Sequence, residues 1–133
     1  MKPHYEVVAA LIFENGRIFA PKRGKTKYAY TSFRYEFPGG KIEAGETPQE
    51  ALKRELQEEL SMDVTVGNLY ASNAFEYPDF SITLWVYECE RLSDYELHEH
   101  ALAEWLLPKE LVAEEWAPAT AETIAAIKRI FGE

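Results

Sequence analysis

Three glutamates, Glu55, Glu58 and Glu59, stand at i, i+3 and i+4 in a stretch whose pattern is helical. On a helix that spacing gathers the three carboxylates into one arc, where each like-charge pair costs roughly 0.2–0.5 kcal/mol. A hard divalent cation reverses the sign of that cost, because Mg²⁺ binds through a few carboxylates together with substrate phosphates. Taken alone, an ExxEE run is more often a solvated acidic face than a metal site. Here it sits inside a longer pattern, G-x5-E-x7-R-E-L-x-E-E, that runs from Gly40 through Glu46, Arg54, Glu55, Leu56 and Glu58 to Glu59.

The elements that must position these residues can be read from the same chain. Thr47 is placed as an N-cap with Pro48 at N1 and Glu50 at N3, a capping box. The helix it opens runs to about Leu60, with Leu52, Leu56 and Leu60 as an apolar stripe beside the acidic arc. Upstream, Tyr5–Phe13 and Arg17–Pro21 read as strands joined through Asn15-Gly16, a hairpin signal. Lys22–Ser32 reads as a polar loop, and Tyr35-Glu36-Phe37 as a short strand stopped by Pro38-Gly39-Gly40. Downstream, Asp63–Phe75 and Ser81–Glu90 are predicted strands around a Tyr77-Pro78-Asp79 turn, followed by a charged loop, Arg91–His100. A short strand at Ala103–Leu106, a short helix at Pro108–Glu114 and a last helix at Thr120–Phe131 complete the reading, with Ile124, Ile127, Ile130 and Phe131 on one face. Mostly antiparallel strands with two substantial helices predict an α+β domain spanning 1–133, a central mixed sheet between helical layers.

With its glycine, arginine and glutamates in place, the pattern resembles the signature box of the Nudix hydrolases. One position departs, since the glycine that ends that box is Ser61 here. A left-handed residue commonly closes a helix at that point, so the departure bears on the turn and not on the carboxylates. The resemblance implies an α/β/α sandwich, and it assigns metal ligation to Glu55, Glu58 and Glu59 together with the carbonyl of Gly39. It is strongest toward the MutT-like branch, which hydrolyses nucleoside triphosphates to monophosphates and pyrophosphate. The phrase Phe37–Glu43, the Tyr77-Pro78-Asp79 and Ile82–Trp85 segments, Glu104-Trp105 and Trp116–Thr120 carry that likeness. By the same resemblance Glu99 joins the metal site or acts as general base, and Arg23 and Lys41 contact phosphate. Phe37 and Phe80 are the base-stacking rings it suggests, and Thr120 falls where base recognition is placed. Members that select oxidised guanine carry asparagine there; a hydroxyl cannot reproduce an amide's paired donor and acceptor, which argues for modest base selectivity. Arg54 is expected to turn away from the acidic arc and to pair structurally with Glu46, and His98 and His100 are expected in solvent.

Composition narrows the partners. The chain is 47% apolar, enough for a real core at 133 residues. With 14 basic against 23 acidic residues the net charge is −9, which disfavours polymeric nucleic acid while leaving a nucleotide and its cation compatible. Mg²⁺, with Mn²⁺ as a substitute, is the expected cofactor. No apolar run reaches membrane-span length, and the lone cysteine, Cys89, forms no internal disulfide and is expected buried and inert. A cytoplasmic monomer or homodimer is the corresponding expectation. The reading is a Mg²⁺-dependent nucleoside triphosphate pyrophosphohydrolase. Its alternatives are hydrolysis of another nucleoside diphosphate derivative, such as a dinucleotide or nucleotide sugar, and a non-catalytic nucleotide sensor.

Overall fold

The computed structural model describes residues 2–131. Its centre is β1 (His4–Glu14), whose run of apolar residues is buried on both sides of the sheet. Val8, Ala10 and Ile12 face one layer, and Ala9 and Leu11 face the other. β1 turns through Asn15 and Gly16, both at positive φ (52° and 75°), into β2 (Arg17–Lys22). Two left-handed residues in a row are what a tight hairpin of the expected kind requires.

The remaining strands are β3 (Gly39–Lys41), β4 (Val64–Glu76), β5 (Ser81–Arg91) and β6 (Leu102–Leu106). They form a sheet in the order β4-β5-β1-β2-β6, with β3 paired to β1 off that path. Among the described strands only the β1–β5 pairing is parallel. The first half of β1 pairs with β3 and its last residues with β2, so β1 is shared by two diverging sheet edges. The short strand expected at Tyr35–Phe37 is instead a single bridged residue, Tyr35, and the ladder forms one step later over the glycines. Pro38 explains the shift, since it lacks an N–H to donate while its carbonyl accepts from Ala10 N at 2.9 Å.

Helix α1 (Pro48–Leu60) opens with the expected capping box: Glu50 N donates to Thr47 Oγ1 at 3.1 Å and Thr47 N to Glu50 Oε1 at 2.8 Å. Leu52, Leu56 and Leu60 are fully buried against Val8, Ala10, Ile12 and Phe19. Each contributes roughly 1.5–3 kcal/mol of burial, far more than the carboxylate repulsions cost. The helix closes at Ser61 (φ 50°, ψ 37°), so serine takes the left-handed geometry of the box glycine, at a cost on the order of 1 kcal/mol.

On the opposite layer α2 (Ala121–Phe131) buries Ile124 and Ile127 beside Trp116. Ile130 is 62% exposed and Phe131 half-exposed, so the expected apolar face is shorter by one turn. The helix expected at Pro108–Glu114 is two separate 3₁₀ turns, Pro108–Glu110 and Ala113–Glu115, and a third, Pro118–Thr120, precedes α2. Helices on both faces of a mixed sheet match the α+β sandwich expected from sequence. No helix among the described residues is long and apolar enough to cross a membrane.

Candidate active site

The carboxylates of α1 share an arc but not an environment. Glu59 is 3% exposed, and its Oε1 is buried without a partner. Its Oε2 lies 3.6 Å from Nη2 of Arg23. Burial raises its pKa, the Glu36 charge adds to this and Arg23 offsets part of it, leaving Glu59 pushed up to about 8. Glu55 is shifted upward too, by burial against a counteracting hydrogen bond from Arg54. Glu58, by contrast, keeps 56% of its side chain in solvent.

Arg54 does not turn away from this arc as expected. It does bind Glu46, through Nε at 2.7 Å and Nη2 at 3.0 Å, and those hydrogen bonds hold Glu46 down at about 2. Its Nη1 also reaches Glu55 Oε1 at 2.9 Å and Glu58 Oε2 at 3.1 Å. The guanidinium has more donors than one carboxylate can use, and adjacent turns bring the others within range. Arg54 thus ties the loop before α1 to two of the three glutamates.

Gly39 and Gly40 bring backbone up to this cluster for different reasons. A Cβ on Gly39 would collide with the carbonyl of Val8 in the neighbouring strand. A Cβ on Gly40 would fall inside contact distance of the Glu55 carboxyl group. The first glycine is demanded by sheet packing, the second by the site.

These features fit a hard divalent cation: oxygen donors only, a buried carboxylate oxygen without a partner, and glycine backbone pressed close. Among the described residues no three carboxylates converge on one point. Arg54 holds Glu55 and Glu58 on one side while Arg23 holds Glu59 on the other. A cation there would compete with these two guanidinium groups for the same oxygens.

Beside the carboxylates opens a cleft with a cavity of 240 Å³. Arg23, Phe37, Lys41, Phe80 and Thr120, the five residues expected to contact substrate, all line it, together with Gly39 and Gly40. They come from the residue after β2, the segment before β3, β3, the β4–β5 turn and the turn before α2, so the sheet brings together what the sequence scatters. Larger hollows of 480 Å³ beside Phe13 and Pro108 and of 690 Å³ beside Gln57 and Asp63 contain none of these five residues.

Within the cleft, Lys41 Nζ stands 3.8 Å from the centre of the Tyr5 ring. Thr120 is buried, and its hydroxyl donates to the carbonyl of Ala117 at 2.7 Å, so its donor is spent on the local turn. Tyr77, which the sequence marked only as part of a turn, lines the same wall. Its ring stacks on Tyr30 at 5.0 Å and packs against Phe80 at 4.9 Å, and its hydroxyl accepts from Ala119 N at 3.1 Å. Tyr30, in a loop, and Tyr77, at a strand end, had no periodicity to reveal them.

One further residue differs from expectation. His100 is not in solvent: its side chain is fully buried, and its Nε2–H donates to Glu36 Oε2 at 2.8 Å. Glu36 binds Arg23 Nε through its other oxygen at 2.9 Å. Burial alone would raise Glu36, yet the bonds from His100 and Arg23 hold it below the ordinary carboxylate value. Glu99 itself is exposed, and its charge acts on Glu55, Glu59 and Arg23. Trp116 stands in the core against Phe37 at 4.9 Å and leaves the cleft wall to Ala117, Ala119 and Thr120. Cys89 is partly buried, and burial pushes its thiol up to about 12, which keeps it unreactive.

The carboxylate-bearing helix end and the glycine approach sit in a sandwich of helices on both faces of a mixed sheet, and comparison with known proteins places the chain within one family. Residues 2–127 match the NUDIX domain, and the chain belongs to that family. It is 37% identical over 131 residues to the 8-oxo-dGTP diphosphatase of Escherichia coli, covering 98% of this chain and all of that one. It is 35% identical over 126 residues to the CTP pyrophosphohydrolase of the same organism, covering 86% and 84%. The solution structure of the E. coli ORF135 protein superposes with a TM-score of 0.84 at 32% identity, over 97% of this chain and 91% of that one.

Proposed function

We propose that the chain is a single-domain nucleoside triphosphate pyrophosphohydrolase, converting a (d)NTP and water to the (d)NMP and pyrophosphate. The observation that carries the proposal is one cleft lined by two cations and a set of aromatic rings, whose Arg23 also reaches the α1 carboxylate of Glu59 at 3.6 Å. The relatives at 37% and 35% identity, both named as nucleoside triphosphate hydrolases, support it.

Glu55, Glu58 and Glu59, with the carbonyl of Gly39, are the residues that would hold Mg²⁺ or Mn²⁺. The cation supplies charge neutralisation on the leaving phosphates and lowers the pKa of a bound water. Arg23 and Lys41 orient the phosphate chain, and Arg54 keeps Glu55 and Glu58 from repelling each other in the free protein. Glu99, at the rim of this cluster, takes a proton from the attacking water or adds a further oxygen ligand. Glu99→Gln with unchanged Mn²⁺ affinity would assign it the first role. Water adds to a phosphorus of the α–β anhydride as its P–O bond breaks, the departing phosphate oxygen takes the electron pair, and the products are the (d)NMP and pyrophosphate.

At the other end, Phe80, Phe37 and Tyr77 form an apolar slot for a base. With the Thr120 hydroxyl already bonded to Ala117, the slot offers less directional selection than an amide would, and a broad base range that includes cytidine triphosphates follows. Such an enzyme would work in the cytoplasm on free nucleotides, as a monomer or homodimer. The deciding experiment is a nucleotide screen with Mg²⁺ and separate detection of pyrophosphate and phosphate. Pyrophosphate from (d)NTPs supports the proposal. Activity confined to dinucleotides or nucleotide sugars, or binding without turnover, replaces it.

A further inference from the structure

Glu99 sits between two histidines, and each is tied to a different wall of the site. On one side His98 Nε2 and the Ser61 hydroxyl share a hydrogen bond of 2.7 Å. The backbone runs with it: His98 N donates to the carbonyl of Glu59 at 3.1 Å, and Glu96 N to that of Leu60 at 2.7 Å. The loop therefore caps the last carbonyls of the very helix that carries the glutamates. On the other side the buried His100 reaches Arg23 through Glu36, and Ala101 N donates to the carbonyl of Lys22 at 2.8 Å. His100 Nδ1 is buried without a partner, which assigns the ring hydrogen to Nε2, where Glu36 accepts it.

We propose that His98 and His100 are positioning residues: a two-sided clamp that holds Glu99 against the α1 carboxylates, with Ser61 as the anchor of one arm and Glu36 of the other. The inference gives Ser61 a use. A glycine at that position would close the helix without strain but would offer nothing to His98. Serine accepts the left-handed backbone and adds the hydroxyl that secures the loop. It also distinguishes the two histidines, since one arm lies at the surface and the other is fully buried, so the His100 arm carries the greater effect. The catalytic part of the inference rests on the proposed hydrolase activity, whereas the clamp itself does not.

The clamp is tested first by amide hydrogen exchange on the protein in excess chelator, which needs no substrate. His100→Ala should speed exchange at residues 98–101 relative to the β1 core, by local opening. In turnover it should lower kcat by up to about 10²-fold, the scale of a misplaced catalytic group, with KM changing far less. His100→Gln, which keeps a donor for Glu36, should recover most of that loss. In a Glu99→Gln background, His100→Ala should cost far less in kcat than it does alone, because the clamp acts chiefly through Glu99. Additive losses, or exchange at 98–101 equal to wild type, would overturn the proposal. Should His100→Ala not fold, Ser61→Gly decides: a melting temperature at or above wild type with faster exchange at His98 and Glu99 supports the clamp, and unchanged exchange refutes it. If wild type hydrolyses no nucleotide while the exchange results hold, the functional reading fails and the clamp stands.

Discussion

The two ends of the cleft are built on opposite principles. At the α1 end, like charges are crowded, one carboxylate is buried with an unpartnered oxygen, and two arginines hold the cluster in check. At the other end the rings of Tyr30, Tyr77 and Phe80 pack on one another, and the polar groups, Thr120 and the Tyr77 hydroxyl, are already satisfied by backbone. The first end stores unfavourable electrostatics that a cation and a phosphate chain would relieve; the second is close to its energy minimum as it stands. A site divided in this way gains its chemistry from one end and only shape and stacking from the other. Substitutions at the first should therefore change rate and stability, and at the second chiefly preference among bases.

The largest effect should follow removal of the charge itself. Glu58→Gln and Glu59→Gln are each expected to lower kcat/KM by at least about 10²-fold, and excess chelator to abolish turnover. Full activity in chelator would erase the distinction between the two ends.

Next in size is the contrast between adjacent glycines. Gly40→Ala should displace the Glu55 carboxyl group and lower kcat by roughly 10²-fold with a small change in melting temperature. Gly39→Ala should instead unfold the protein at lower temperature, by about 1–3 kcal/mol or more, because its Cβ meets fixed backbone. Kinetics and thermal melts on the pair check this, and equal behaviour would mean that Gly40 serves packing alone.

Stability against pH gives a smaller, signed effect. Glu59 has a folded pKa of about 8, above its unfolded value near 4.5. The folded chain therefore binds the proton more tightly, and its stability falls as pH rises from about 4.5 to 8. Glu59→Gln should flatten that slope and be the more stable protein at pH 8, in chelator, by up to a few kcal/mol. Mg²⁺ should raise the melting temperature of wild type, more at pH 8 than at pH 6, because it competes with the same proton. A wild-type curve that stays flat between pH 5 and 8 would place the burial penalty elsewhere.

The smallest effect belongs to the apolar end. Thr120→Asn should shift the kcat/KM ratios among oxidised dGTP, dGTP, dCTP and dATP by up to about tenfold, one good hydrogen bond, and change the best rate less. Wild type should show only a modest preference for oxidised dGTP. Strong selectivity in wild type, or ratios untouched in the variant, would remove Thr120 from base recognition.

The chain itself determined whatever depends on short-range spacing. The capping box at Thr47, the i, i+3, i+4 glutamates, the leucine stripe and the Asn15-Gly16 hairpin are local, and periodicity, caps and turn residues report them directly. Gly40 was legible as part of a motif, though not the reason for it, since the Glu55 carboxyl group that it must admit approaches from another element. Tertiary structure alone decided which glutamate is buried, because Glu58 and Glu59 are neighbours in sequence and differ only in what packs over them. It also brought Arg54 back onto Glu55 and Glu58, buried His100 beside Glu36, and stacked Tyr30 on the cleft residue Tyr77. A buried charge needs a partner and a ring needs a face to pack on, and both requirements are met across long sequence separations that only the folded sheet closes.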